Sequence, residues 1–360
     1  MRSSTANNLP SQGPRLSLEQ RLTSAWQRDS LWLKALLPLA WLFGAIAELR
    51  RHYLQGVYKT GSFRAPLIVV GNISVGGSGK TPLIVTLVSA LQQRGYHPGV
   101  VSRGYGGEAA SYPLAVSADS DVSQSGDEPL LIARLAGCPV VVGADRTAAV
   151  NYLLDNYSCD LVLSDDGLQH YRLHRDIEIV VVDGQRGLGN GRRLPAGPLR
   201  EGPERLLEAD FVVVNSAENS NESVAALGLP VTSVEAMQIA PRQFTQLNSG
   251  ISQPIEEWIQ THEASLVHAV AAIGNPQRFA LTLQQFGLRV DLHGVDDHRP
   301  LSSDDLNFND NFPVVITAKD AVKLSAGAEL SDKIWVLDIE AEIDSGFVGR
   351  LAAQLALLKK

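Results

Sequence analysis

The chain has 360 residues, 44% of them apolar, and a net charge of −8 at pH 7. That length can bury a large core and predicts two domains. The acidic balance excludes a nucleic-acid binder that works by bulk electrostatic attraction, so no nucleic-acid partner is expected. Two cysteines, Cys138 and Cys159, are too few and too unpatterned for a disulfide framework or a zinc site, and they read as ordinary buried thiols.

Residues 1–25 open the chain as an expected disordered tail, polar and without period through Glu19. Residues 26–62 form an expected membrane-associating region. Within it Leu31 to Leu49 is almost wholly apolar, interrupted by Lys34, Pro38 and Glu48 and followed by Arg50, Arg51 and His52. A full span needs about 20 apolar residues, which this stretch barely supplies. A secretory signal would begin earlier, behind a compact basic region. The favoured expectation is a helix lying in the cytoplasmic face of a membrane, with Arg50, Arg51, Lys59 and Arg64 near the headgroups.

Residues 63–235 carry the main chemical signal. Pro66 to Val70 is apolar and β-branched, as in a central strand of a parallel sheet. Ser74, Val75, Gly76, Gly77, Ser78, Gly79, Lys80 and Thr81 follow with the spacing of a phosphate-binding loop, and a helix follows the loop. In such a loop backbone N–H groups cradle the phosphates of ATP, Lys80 reaches the β- and γ-phosphates, and the Thr81 hydroxyl ligates Mg²⁺. Ser74 stands where the general pattern has glycine.

Further strands end in polar tips, the edge at which open α/β sheets bind ligands. Pro98 to Ser102 runs into Arg103 and a glycine loop. Asp127 and Glu128 precede a helix, where they either cap it or present a base. Arg146 opens another helix, facing either phosphate or solvent. Leu161 to Asp166 ends in Asp165 and Asp166, the acidic strand tip with which P-loop enzymes hold Mg²⁺. Gly187 to Gly202 has no period and holds Arg192, Arg193, Arg200 and Glu201, three cations able to embrace an anionic substrate and an acid able to join the metal shell.

Residues 236–264 read as a loosely structured linker, and 265–360 as a smaller α/β domain. In that domain Asp296, Asp297 and His298 put an imidazole beside acids in a loop. Thr317 to Lys323 resembles in outline the base-reading Lys-Asp tip of guanine-nucleotide proteins, with a capped helix start as the equal alternative. The fold class is therefore α/β: a P-loop NTPase-like, doubly wound parallel sheet, an N-terminal membrane-associated helix and a second α/β domain. A nucleotide-driven switch or partitioning ATPase is disfavoured, because many carry a Lys where this loop has Val75.

VGNISVGGSGKTP, VSRGYGG, GDEPLLIA, SDDGLQHYRL, LPAGPLRE, DDHRPL and ITAKDAVKL, in this order behind an apolar helix, resemble the tetraacyldisaccharide 4'-kinase family over about Leu31 to Leu358. The resemblance implies transfer of the ATP γ-phosphate to the 4'-hydroxyl of tetraacyldisaccharide 1-phosphate, a lipid A disaccharide precursor, at the cytoplasmic face of an inner membrane. It implies contact with inner-membrane lipids and names no obligate protein partner. It further implies that Asp127 and His298 act as a dyad accepting the hydroxyl proton, and that Thr81, Asp165, Asp166 and Glu201 share the Mg²⁺ site. Arg103, Arg146, Arg172 and Arg200 match family arginines, as phosphate or substrate clamps.

Overall fold

The computed structural model describes residues 18–57, 62–216, 228, 234–262, 266–296, 299, 301–324 and 331–358. The strands are β1 (Leu67–Gly71), β2 (Pro98–Ser102), β3 (Leu114–Val116), β4 (Val140–Val142), β5 (Leu161–Asp165), β6 (Ile177–Asp183), β7 (Phe211–Asn215), β8 (Val234–Gln246), β9 (Ser252–Pro254), β10 (Leu266–Ala271), β11 (Arg289–Gly294), β12 (Val314–Thr317) and β13 (Ile334–Ile343). The helices are α1 (Leu18–Gln27), α2 (Leu37–Val57), α3 (Lys80–Gln92), α4 (Val122–Ser125), α5 (Asp127–Leu135), α6 (Arg146–Asn156), α7 (Ile255–Thr261), α8 (Pro276–Gln285), α9 (Ala318–Ala321) and α10 (Ser345–Leu358).

The thirteen strands among the described residues join one sheet, ordered β11-β10-β12-β13-β8-β7-β6-β1-β5-β2-β4-β3, with β9 paired to β8. Pairings are parallel except β3/β4, β8/β9 and β8/β13. β1 sits between β5 and β6 and is buried at every position, as its β-branched run requires. α3 and α5 pack on one face around Leu83, Leu87, Leu130 and Leu163. α6 packs on the other through Val150, Leu153 and Leu154.

Three expectations are corrected. Residues 18–25 belong to α1, so the tail does not extend to residue 25; residues 1–17 lie outside the described residues. The linker expected at 236–264 holds most of β8, a long strand parallel to β7 on one side and antiparallel to β13 on the other. β8 thus welds the two halves into one sheet. Its polar residues, which read as loop, alternate toward solvent, and a register shift opposite Asp338 and Ile339 breaks the period further. Third, α10 lies in the 265–360 stretch by sequence, yet Phe347, Leu351 and Leu355 fill the core around α3.

α2 buries Ala40, Gly44 and Leu54 and leaves its other faces bare. Trp41 is 72% exposed and Leu49 73%. Ion pairs hold its later turns: Arg193 to Glu48 at 3.0 Å, and Arg51 to Glu208. Gly44 has no Cβ because Arg193 passes beneath it, where a Cβ would lie 2.7 Å from Nη1. Arg192 pairs with Asp29 at 2.6 Å. Arg192 and Arg193, expected to embrace an anionic substrate, are instead the cations that strap the N-terminal helices to the body.

Candidate active site

The phosphate loop leaves β1 at Gly71 and enters α3 at Lys80. Gly76 and Gly79 hold φ of 97° and 94°, a region open to glycine and closed to most residues. A Cβ on Gly76 would come 2.5 Å from Arg186 Nη1, and one on Gly79 would come 2.8 Å from Asn215 Nδ2. The loop is braced from outside by the segment expected to be functional: the Val75 N–H donates to Pro198 O (2.9 Å), and the Arg200 N–H donates to Ile73 O (2.7 Å).

Lys80 Nζ lies 3.2 Å from Asn72 Oδ1 and 3.3 Å from Asp166 Oδ1. This brings together the two landmarks that the sequence separates by more than 80 residues. β5 delivers them because it pairs with β1 in register Val70 to Asp165. Asp166 adopts a φ of 47°, which turns its carboxylate back over the loop. Burial opposes its ionisation, but Lys80 and Arg200 override this and hold it below the usual carboxylate range.

Asp165 has the opposite electrostatics. It is 1% exposed, its Oδ2 accepts from Ser102 Oγ at 3.0 Å, and its buried Oδ1 has no hydrogen-bond partner among the described residues. Burial first, then the charge of Glu128, pushes its carboxyl up to about 7, against the pull of Lys80. A buried carboxylate oxygen left without a donor is suited to a cation.

The remaining site residues divide. Asp127 is buried at the start of α5, and Lys319 Nζ lies 3.6 Å from its Oδ2 and 3.2 Å from Glu128 Oε1. Glu201 Oε1 accepts from Gln169 Nε2 at 2.6 Å, and Gln169 also donates to Asn72 O. Glu201 Oε2 lies 3.3 Å from Arg205, which also binds Glu178. Arg200 Nη1 reaches Asp166 at 3.4 Å. Arg103 is exposed on the loop after β2. Arg146 is 3% exposed and donates to Gly143 O (2.6 Å) and Asp165 O (3.3 Å), so it braces the strand tips; burial lowers its pKa to about 10. Arg172 is exposed and lines a cavity of about 220 Å³ with Arg50, Tyr53, Leu54, His170 and Tyr171. His298 lies outside the described residues, as does Asp297.

Some participants were not singled out from sequence. Asn72 follows β1 directly and holds Lys80. Asp183 and Asn215 sit opposite each other at the tips of β6 and β7, beside the loop. Arg186 lies over Gly76 and is paired with Asp183 at 3.8 Å. A strand ending at a polar residue is the available signal for Asn72, Asp183 and Asn215, and none points to Arg186. The Lys-Asp tip after β12 resolves as a capped helix start: the Asp320 N–H donates to Thr317 Oγ1. Asp320 is fully buried and also receives the Ala272 N–H, Thr317 Oγ1 and Lys323 Nζ, which leaves it no role in reading a base.

Known proteins resemble this chain in sequence and in fold over nearly its whole length. The profile of the family described as tetraacyldisaccharide-1-P 4'-kinase matches residues 32–356. A tetraacyldisaccharide 4'-kinase of Hahella chejuensis is 43% identical over 340 residues, covering 93% of this chain and 96% of that one. One from Alkalilimnicola ehrlichii is 46% identical over 325 residues, covering 90% and 93%. The crystal structure of LpxK from Aquifex aeolicus in complex with ATP superposes with a TM-score of 0.73 at 25% identity, covering 90% of this chain and 99% of that one. The chain belongs to the tetraacyldisaccharide 4'-kinase family.

Proposed function

We propose that this protein transfers the γ-phosphoryl group of ATP to the 4'-hydroxyl of a tetraacyldisaccharide 1-phosphate, producing the 1,4'-bisphosphate of lipid A biosynthesis. The observation that carries the reading is the junction of Lys80 with Asn72 and Asp166 beside the unpartnered oxygen of Asp165. Phosphoryl transfer asks little covalent chemistry of a protein; it asks for position and charge neutralisation. The N–H groups at the start of α3 and the loop backbone face the phosphates, and Lys80 supplies a point charge to the β- and γ-oxygens. Asn72 and Asp166 fix the position of the Lys80 ammonium.

The donor set at the tip of β5 consists of hard oxygens and fits Mg²⁺. Thr81, Asp165 and Asp166 would hold it, and when bound it neutralises the charge shared by the β- and γ-phosphates. Glu201 would reach that shell through Gln169, since its carboxylate faces Gln169 and Arg205. Proton removal from the sugar hydroxyl falls to Asp127 with His298. Asp127 keeps its carboxylate at the N-terminus of α5, and a paired carboxylate stabilises the imidazolium form of a histidine. Arg200 holds Asp166, and Arg146 the end of β5. Arg103, exposed after β2, and Arg172, which lines a cavity with Arg50 between α2 and the loop after β5, would meet the substrate.

α2 places this chemistry at a lipid surface. Leu31–Val57 is long and apolar enough, by length and composition, to cross a membrane. One face of α2 is packed on the body and its later turns are ion-paired to residues 193–208, so the helix lies along the protein and offers Leu39, Trp41, Leu42 and Leu49 to the cytoplasmic face of the inner membrane. Incubation with ATP, Mg²⁺ and the disaccharide 1-phosphate in detergent should add one phosphate to the lipid, located on the 4'-oxygen by phosphorus–proton NMR. A product phosphorylated elsewhere, or none, would refute the assignment.

A further inference from the structure

Away from the phosphate loop, at the outer edge of the sheet, two histidines and an aspartate converge. His268 on β10 pairs in register with Asp291 on β11, and His293 follows two residues later on the same face. Their ligand atoms form a triangle: His268 Nδ1 to His293 Nε2 is 3.1 Å, His293 Nε2 to Asp291 Oδ2 is 3.3 Å, and His268 Nδ1 to Asp291 Oδ2 is 3.7 Å. Zn²⁺ bonds of about 2.0–2.1 Å put tetrahedrally arranged donors about 3.3 Å apart, and the three sides scatter around that value.

The support behind the triangle matches as well. His268 is 5% exposed, and its other nitrogen, Nε2, lies 2.9 Å from Asp310 Oδ2. An imidazole that gives its Nε2–H to a carboxylate keeps Nδ1 bare, with its lone pair directed into the triangle; this is the usual backing of a metal-bound histidine. The ring cannot swing away, because Phe308 stacks on it at 3.9 Å with an interplanar angle of 3°. Asp310 is fixed in turn by the Phe312 N–H, which donates to its Oδ1 at 3.0 Å, and by Lys333 on its carbonyl. Asp291 and His293 are partly exposed, so the fourth position opens to solvent.

We propose that His268 Nδ1, His293 Nε2 and Asp291 Oδ2 bind one Zn²⁺ ion, with Asp310 orienting His268 from behind and water in the fourth position. The site is separate from the Mg²⁺ acids and takes a different metal, because imidazole nitrogens suit Zn²⁺ where Mg²⁺ prefers oxygen. Bound zinc would clamp the edge strand β11 to β10. β11 runs directly into the segment that begins at Val295 and Asp296, so the clamp would also fix where that segment leaves the sheet.

The test uses the untagged full chain, stripped with chelator and dialysed against ZnSO₄ at micromolar free zinc in the presence of excess Mg²⁺. Metal is counted by plasma mass spectrometry, and Co²⁺ replaces Zn²⁺ for visible spectroscopy. One zinc per chain and a tetrahedral cobalt spectrum are expected. H293A should lose both, with an unchanged circular dichroism spectrum because His293 is partly exposed. D310N should bind about 10- to 100-fold more weakly. Absence of zinc uptake by the wild-type chain would overturn the proposal and leave the triangle as a hydrogen-bonded His-His-Asp cluster. Uptake that survives H293A and disappears in D165N would overturn it too, by placing the ion at the phosphate loop.

Discussion

Two strand tips in this sheet carry a lysine beside an aspartate, and they do different things. At the β1/β5 tip Lys80 meets Asp166 at 3.3 Å, partly open to solvent, with the neighbouring Asp165 oxygen lacking a donor. At the β12 tip Lys323 meets Asp320 at the same 3.3 Å, but both are buried and every Asp320 oxygen is engaged by Ala272, Thr317 or Lys323. Residue type and separation are equal. What distinguishes a site from a staple is the hydrogen-bonding capacity left over, and only the first tip has any to offer a ligand.

That contrast can be broken most sharply at the second tip. Asp320→Ala leaves the Lys323 ammonium buried without its partner, and such losses cost about 3–5 kcal/mol. Chemical denaturation should show that loss, while the turnover of the folded fraction stays close to wild type; a stable but inactive D320A would make the tip functional. Lys80→Ala is the mirror experiment. Turnover should fall about 10²- to 10³-fold or more, as when one charge-stabilising donor is removed, with little change in the unfolding midpoint. A large loss of stability with turnover preserved would reverse the roles of the two lysines.

A third test concerns pH. Asp165 has a folded-state pKa pushed up to about 7, above its unfolded value near 3.8, so between these limits the folded protein binds more protons than the unfolded one. Stability of the metal-free, nucleotide-free protein therefore falls as pH rises from about 4 toward 7. Asp165→Asn should flatten that part of the profile in thermal melts, and an unchanged slope would show that Asp165 is ionised throughout. The smallest effect is expected from Lys319→Ala. It removes the contacts of a partly exposed ammonium with buried Asp127, at 3.6 Å, and with partly exposed Glu128, the second worth less than about 1 kcal/mol, and a loss of several kcal/mol in denaturation would mean that this contact holds the halves of the sheet together.

The parts legible in the sequence were those with strong local physics. The β1 run, the glycine loop and the acidic end of β5 each announce themselves within eight residues, and parallel pairing brings them together. β8 was illegible because half its positions face solvent and a register shift interrupts its alternation. Arg192 and Arg193 are illegible for a different reason: a cation beside glycines looks the same whether it awaits a phosphate or already faces Asp29 and Glu48, and those partners are more than 140 residues distant. The triangle of His268, Asp291 and His293 has no spacing signature, because the histidines lie on neighbouring strands joined through α8.

The open charge at the β1/β5 tip serves to move phosphate onto a lipid sugar. This role is tested most directly with γ-labelled ATP and tetraacyldisaccharide 1-phosphate in mixed micelles, following label in lipid and in inorganic phosphate together. Label should accumulate in the lipid with the wild-type chain and nearly vanish with K80A. Label released only as inorganic phosphate, or lipid labelled equally by K80A, would contradict it.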